Sequence, residues 1–206
     1  FENKKVVFDI GAGFGQWTLV LSKICERVYA IESDKKRASF IKELCEYLNL
    51  KNVTVINDKL PELKSISIKK IDAILCFSTL MLTPWKLSIN KFIKLLNDNG
   101  IAYFNFNSWG YYLKIWEEQK NMNKDYNPRK TFYNAIKNNL SYSNGRENFN
   151  GQILIEKDEL VSFLKKKKLK YFKIGTEEKL FKKKENNFFK SSYKGLDTIY
   201  EVIIKN

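Results

Sequence analysis

The sequence contains no histidine, and it has only three cysteines and three prolines among its 206 residues. Without histidine, no Ser-His-Asp or Cys-His catalytic arrangement can form, and a cysteine–histidine zinc site is excluded. Cys25, Cys45 and Cys76 are widely separated and odd in number, so no disulfide framework is expected. We therefore predict that no metal is bound, and that the thiols are buried and reduced in a cytoplasmic protein.

Long apolar segments are also absent. No run approaches the roughly 18 apolar residues that cross a bilayer, so no membrane span is predicted. Residues 1–10 do not form a signal peptide, because Asp9 and the glycines after it interrupt the apolar run. The length and the apolar fraction of 44% fit a single domain over residues 1–206. Because the first residue is Phe1 and not Met, we hypothesise that the chain is a fragment of a longer protein.

Charge is abundant and mostly of one sign. Lysine and arginine number 37 against 23 acids, a formal net charge of +14. A basic surface of this size attracts phosphate backbones. Nearly all of the excess is lysine, however, and it accompanies abundant asparagine and isoleucine, which is typical of a chain-wide compositional bias. Nucleic-acid surfaces often use arginine instead, so nucleic acid remains an alternative partner.

Short apolar runs alternate with amphipathic stretches in the first half of the chain, and this rhythm predicts a parallel sheet with helices on both faces. Two closing strands, 170–181 and 197–205, are expected to pair antiparallel. The predicted fold is α/β, with a seven-stranded, mostly parallel sheet whose last strand is antiparallel. The other predicted strands are 5–10, 27–31, 53–57, 71–77 and 101–106, and the helices are 15–25, 35–48, 84–96 (ended by Asn99-Gly100) and 157–168.

The alternation of strands and helices ends at residues 107–150, a long, polar segment that is rich in aromatic residues. A connection of this length is usually functional or partly helical. We predict that this segment forms a substrate lid. Its aromatic residues Trp109, Tyr111, Tyr112 and Tyr133 could stack on a sugar, a ring or another planar acceptor.

The segment VVFDIGAGFGQWTLV at residues 6–20 carries the strongest functional signal. A strand runs into a glycine turn, and the turn runs into a helix. Gly11, Gly13 and Gly15 remove side chains where a ligand must approach the backbone. The helix N-terminus beyond them offers free N–H groups and partial positive charge. By itself, this pattern predicts only a nucleotide-like ligand.

Two acids narrow the choice of ligand. Asp9, two residues before Gly11, would repel a pyrophosphate but suits a ligand with a cationic amino-acid end. Glu32 ends the second strand, 21 residues after Gly11, where an acid can accept both ribose hydroxyls. A dinucleotide-binding turn would place its third glycine at position 16, which is Gln16 here. A nicotinamide-dependent oxidoreductase is therefore disfavoured.

DIGAGFG, followed by IES at 31–33, resembles the class I S-adenosylmethionine (SAM)-dependent methyltransferases. Asn57-Asp58, DAILCF at 72–77 and LLNDNGIAYFNF at 95–106 follow in the order of that family's later motifs. The resemblance implies a Rossmann-like fold and SAM as cofactor. It covers residues 1–107 well, and residues 150–206 by pattern alone.

The resemblance also implies roles for individual residues. The glycines would approach the methionine and ribose parts of SAM, Asp9 its amino group, and Glu32 its ribose hydroxyls, with Ser33 beside it. Asp58 and Lys59 would flank the adenine. Cys76, Phe77 and Ser78 would line the cofactor near its sulfonium, with Ser78 also a candidate acceptor contact.

The acceptor is less well defined. The sequence at 76–79 is CFST, without the proline of an (N/D)PP(Y/F) motif or a Pro-Cys nucleophile, which disfavours adenine, glutamine and cytosine-C5 as targets. No catalytic residue is assigned. The aromatic lid favours an O or N atom of a small molecule or glycan. The alternatives are an RNA or protein methyltransferase and a non-catalytic SAM-binding module of a larger assembly.

Overall fold

The computed structural model describes residues 1–67, 70–147, 149–175 and 191–206, with 170–175 described by their backbone alone. Seven strands form the main sheet in the order β3-β2-β1-β4-β5-β9-β6, and β7 and β8 form a separate two-stranded ribbon. The strands are β1 Val6–Ile10, β2 Arg27–Glu32, β3 Val53–Asn57, β4 Ile71–Cys76, β5 Leu96–Asn107, β6 Lys170–Gly175, β7 Ser192–Tyr193, β8 Leu196–Asp197 and β9 Ile199–Lys205.

Strands β1 to β5 run parallel, and β9 pairs antiparallel with both β5 and β6. This confirms the predicted architecture, including the closing antiparallel strand. The end of the predicted sixth strand, 176–181, lies outside the described residues. The strand order reverses at β1, between β2 and β4, and ligands of open α/β sheets bind beyond the carboxyl ends of the strands at such a point.

Helices cover both faces of the sheet because side chains alternate along each strand. Val7 packs with Leu21 of the first helix, whereas Phe8 belongs to the larger core on the opposite face, which contains Trp85 and Leu160. The helices are α1 Gln16–Ile24, α2 Lys35–Tyr47, a 3₁₀ turn Leu80–Leu82, α3 Trp85–Leu95, α4 Trp109–Glu118, α5 Pro128–Ser143 and α6 Lys157–Lys166.

The predicted third helix, 84–96, is observed as α3 at Trp85–Leu95, and the Asn99-Gly100 turn lies beyond its end. Helix α3 ends at Leu95, because Leu96 already pairs with Ile71 of β4. The next residue, Asn97, donates from Nδ2 to Asp72 Oδ1 at 2.5 Å. A strand partner and a side-chain hydrogen bond therefore terminate the helix before the turn that the sequence suggested.

Residues 108–146 contain α4 and α5, and we call this segment the α4–α5 unit. The Asn127 side chain caps α5 by accepting from Lys130 N at 3.1 Å. Tyr112, Ala135 and Leu154 form a small core between the two helices and the following chain. Leu154 N donates to Ala135 O at 3.1 Å. The unit is therefore packed structure, as its length predicted, and not a bare loop.

The three cysteines are free and buried, as expected. Within the described ranges, no helix has both the length and the apolar character needed to span a membrane.

Gly110 lies where α4 meets the β7–β8 ribbon. A Cβ at this position would overlap Leu196 O and lie 2.7 Å from Asp197 O. Backbone atoms cannot yield as a flexible side chain can, so Gly110→Ala is expected to lower the free energy of unfolding by about 1–3 kcal/mol. Urea denaturation measures this loss. An unchanged midpoint and slope would show instead that the start of α4 shifts without cost.

Candidate cofactor site

The glycine turn joins β1 to α1 in a conformation that suits glycine. Gly11, Gly13 and Gly15 all have positive φ, at 75°, 61° and 85°. A Cβ on Gly11 would also overlap the side chain of Thr79, which follows β4. Gly11 N donates to Ile31 O at 2.8 Å. The turn is therefore fixed between the carboxyl ends of β2 and β4, where the reversed strand order opens the sheet.

Glu32 ends β2 with a carboxylate that is only 3% exposed. Its Oε2 accepts from Gly13 N at 2.9 Å, and its Oε1 accepts from Asp34 N at 2.9 Å. Arg37 Nη2 lies 3.3 Å from Oε1 and compensates the buried charge. One acid thus connects the glycine turn to the start of α2, at the position where the resemblance implies a ribose contact.

Asp9 is 1% exposed and lies on the α1 face of β1. Its Oδ2 accepts from Thr18 Oγ1 of α1 at 2.5 Å. Burial raises the pKa of Asp9, the Thr18 hydrogen bond lowers it and the nearby charge of Glu32 raises it, and together they bring it to about 6. Asp9 therefore titrates close to neutrality, and a nearby cationic group would favour its ionised form.

The loop after β3 approaches the same edge. Asn57 Nδ2 donates to Glu32 O at 2.8 Å and to Ser33 O at 3.0 Å, which places Ser33 beside the acid. Asp58 N donates to Glu32 O at 3.3 Å. The Asp58 carboxylate accepts from Lys59 N at 2.8 Å and from Ser65 N at 2.6 Å. Asp58 is therefore a loop-stabilising residue in this structure, and its adenine contact stays a prediction.

Cys76, Phe77 and Ser78 follow the carboxyl end of β4, next to the turn. Cys76 is fully buried, and burial raises the pKa of its thiol far above the ordinary range, which favours a packing role. Ser78 is exposed, has a φ of 52°, and donates from its backbone N to Asn105 Oδ1 at 2.5 Å. Asn105 on β5 therefore holds this backbone in its left-handed conformation.

An apolar cavity of about 720 Å³ lies between α1 and the strands β4, β5 and β9. The rings of Trp17 and Phe77 pack at its wall with centroids 5.3 Å apart. Trp17, Val20 and Ile24 lie on one face of α1 and line this cavity. They are 37%, 47% and 36% exposed, because the described residues leave this stripe of α1 open to the cavity.

The predicted acceptor aromatics do not form one surface. Tyr112 is only 1% exposed, and its hydroxyl donates to Gln152 Oε1 at 2.9 Å, so it belongs to the core of the α4–α5 unit. Tyr111 packs edge-on against Tyr112 with centroids 5.4 Å apart. Tyr133 is 61% exposed but lies on α5, whereas Trp109 begins α4. A single stacking platform of all four residues is excluded in this conformation.

Four polar residues support the site although the sequence interpretation did not select them. Asn105 could have been found, because AYFNFN at 102–107 places amides in an otherwise buried strand. Thr18, Arg37 and Asn57 act through partners in neighbouring elements, which only the packing of those elements reveals.

Solved structures with the same fold are methyltransferases. A SAM-dependent methyltransferase from Aquifex aeolicus is 16% identical, with a TM-score of 0.58 over 99% of this chain and 83% of that one. Magnesium protoporphyrin IX methyltransferase from Synechocystis, solved with S-adenosylhomocysteine, is 12% identical, with a TM-score of 0.61 over 100% and 74%. A methyltransferase from Methanosarcina mazei is 13% identical, with a TM-score of 0.62 over 100% and 93%. No curated protein sequence matches the chain.

The fold and the site define a class I SAM-dependent methyltransferase, as the motifs predicted. A family model described as GidB, rRNA small subunit methyltransferase G, matches residues 1–105. The chain belongs to this GidB family.

The residues present fit SAM as the cofactor. Glu32 places a buried carboxylate at the end of β2, and Asp9 places a second one on the α1 face of β1, two residues before the turn. The glycines keep the backbone between them free of side chains. This pair of acids suits a ligand that carries both a ribose and an ammonium group.

The raised pKa of Asp9 predicts a pH effect on stability. The folded protein binds the Asp9 proton more tightly than the unfolded chain does. The contribution of protonated Asp9 to the free energy of unfolding is therefore full below pH 4 and is lost as the pH rises through about 6. Between pH 4 and pH 7.5, wild type is expected to lose about 3 kcal/mol more stability than Asp9→Asn. Urea denaturation across this range tests the difference. Parallel profiles for the two proteins would contradict the assignment.

Glu32→Gln is expected to weaken S-adenosylhomocysteine binding about tenfold to a hundredfold, because a charge-assisted acceptor becomes a neutral amide. Isothermal titration calorimetry measures the change. Glu43→Gln is the matched control, since Glu43 is exposed on the same helix, α2, that Glu32 contacts through Asp34. Equal affinity for both variants would remove Glu32 from the cofactor site.

Proposed function

We propose that this chain transfers the methyl group of SAM to a nucleotide of small-subunit ribosomal RNA. The observation that carries the proposal is the match of residues 1–105 to a family described as an rRNA small subunit methyltransferase. The matched region contains the glycine turn, both acids and the end of β4. The proposal replaces the small-molecule or glycan acceptor with the RNA alternative.

The charge of the chain supports an RNA acceptor. A formal net charge of +14 attracts phosphate backbones and would speed the encounter with RNA. The four aromatics from which a small planar acceptor was predicted do not form one platform, since Tyr112 is buried and Tyr133 is on another helix. The observation behind the small-molecule acceptor is thereby weakened.

The site suits an acceptor atom that attacks with a lone pair already available. SAM supplies an electrophilic methyl group on its sulfonium, which is a good leaving group. In the described part of the chain, the residues after β4 offer a buried thiol with a raised pKa, a phenyl ring, a serine and a threonine, none of which is basic at neutral pH. The chain would contribute by positioning the two reactants and excluding water.

Methylation of unmodified RNA tests this function. The chain, tritiated SAM and small-subunit rRNA transcribed in vitro are incubated together, both as free RNA and assembled into subunits. We expect label in small-subunit RNA and none in an equal mass of large-subunit transcript. Asp9→Ala should reduce the incorporation by at least tenfold, because it removes the carboxylate proposed to hold the amino group.

The cofactor titration is run beside this assay. A chain that binds S-adenosylhomocysteine but labels neither free nor assembled small-subunit RNA would refute the RNA acceptor while leaving the methyltransferase class intact.

A further inference from the structure

The α4–α5 unit carries a second cavity, of about 610 Å³, apart from the glycine turn. We call it the α5 groove, because most of its wall comes from α5. The residues used below are Trp116, Arg129, Phe132, Tyr133, Lys137 and Arg146.

The charge of the α5 groove has one sign. Residues 126–146 contain four cations, Arg129, Lys130, Lys137 and Arg146, and no acid. Three of these cations line the cavity, and among the residues that the structure describes no Asp or Glu does. Arg129 and Arg146, two of the four arginines of the chain, line the α5 groove, although most of the positive charge of the chain comes from lysine. Arginine is the residue that phosphate recognition favours.

Exposed rings alternate with these cations. Tyr133 is 61% exposed and Trp116 is 39% exposed. The Arg129 guanidinium carbon lies 5.4 Å from the Trp116 ring centroid, and Lys137 Nζ lies 6.0 Å from that of Tyr133. Trp116 also packs on Phe132 with centroids 6.1 Å apart, so its ring has a fixed support. Cationic side chains beside aromatic faces are the composition of single-stranded nucleic-acid sites.

Arg129 is held on both sides. Its guanidinium faces Trp116, and the Gln119 side-chain oxygen, in the amide orientation that its neighbours require, accepts from Nη2 at 2.8 Å and from Nε at 3.2 Å. A guanidinium that is already oriented loses less entropy when it binds a phosphate. The groove is therefore organised before a ligand arrives.

We propose that the α5 groove binds single-stranded RNA, with bases stacked on Tyr133 and Trp116 and phosphates held by Arg129, Lys137 and Arg146. This inference rests on the proposed function and deepens it by naming the surface that docks the acceptor RNA. The occupant is RNA and not an acidic protein, because exposed rings offer stacking surfaces for bases while the cations offer charge.

The position of the groove suits nucleotides that flank the target. Helix α4 begins directly after β5, whose carboxyl end lies beside that of β4. Trp116 is seven residues beyond Trp109, or about 10 Å along the helix axis. RNA bound in the groove would therefore extend away from the glycine turn, and the groove would position the acceptor without touching the reacting atoms.

The test uses the full chain and a fluorescent twelve-nucleotide single-stranded RNA, with binding measured by anisotropy at several KCl concentrations. The test variant is Tyr133→Ala with Lys137→Ala. The matched control is Tyr47→Ala with Lys42→Ala, an exposed tyrosine and lysine on α2. Tyr133→Phe keeps the ring and should keep the affinity. Calorimetry with S-adenosylhomocysteine checks that each variant is folded.

We expect the test variant to bind RNA at least tenfold more weakly, and the control and Tyr133→Phe to match wild type. The slope of log affinity against log salt should fall by about 0.7 with the loss of one phosphate contact. Cofactor affinity should stay unchanged, and methylation of small-subunit RNA should fall through KM more than through kcat.

Several results would overturn the inference. If wild type methylates small-subunit RNA and the test variant does so equally well, the groove is not the docking surface, although the proposed function stands. If poly-glutamate competes as well as RNA of equal charge, the groove recognises charge alone. If wild type methylates no RNA, the proposed function fails, and the groove inference then fails too unless RNA binding still depends on Tyr133 and Lys137.

Discussion

The arrangement of the cofactor site depends on one buried carboxylate, that of Glu32. A charge that is 3% exposed is costly unless donors surround it, and here the donors come from the glycine turn, from the start of α2 and from Arg37. The amide of Asn57 then binds the backbone of the same residue from β3. Satisfying this single charge therefore fixes the relative positions of three chain segments at the carboxyl edge of the sheet.

Asp9, the second acid of the site, has fewer hydrogen-bond donors than Glu32. Asp9 is buried with one hydroxyl donor, from Thr18, and the charge of Glu32 lies near it, so burial first and that charge second disfavour its ionised form. A ligand with an ammonium group would remove this penalty, whereas a pyrophosphate would increase it. We therefore propose that Glu32 accepts the uncharged ribose hydroxyls of the cofactor, and that Asp9 discriminates between cofactors by the sign of the ligand's charge.

The sequence was most informative where local pattern and chemistry coincide. The run VVFDIGAGFG predicted the strand, the turn and the acid together, because a buried strand, positive φ and a carboxylate each require particular residue types. It was least informative where the outcome depended on distant partners. Tyr112 and Tyr133 are the same residue type, and only the packing of α4 on α5 makes the first buried and leaves the second exposed. Helical spacing likewise identifies the apolar face of α1 but not what covers it, and Trp17, Val20 and Ile24 on that face are partly exposed.

The boundary of the family match separates the molecule into two kinds of surface. Residues 1–105 hold the glycine turn, Asp9 and Glu32, which we expect to bind the cofactor. The α4–α5 unit begins at residue 108, and there the arginines and exposed rings gather on one groove. Methyl transfer from a sulfonium mainly requires that the enzyme position the two reactants. Discrimination between acceptors must therefore come from surfaces outside the cofactor site. The α5 groove, which we propose as such a surface, lies on the packed helices α4 and α5, the first of which begins directly after β5.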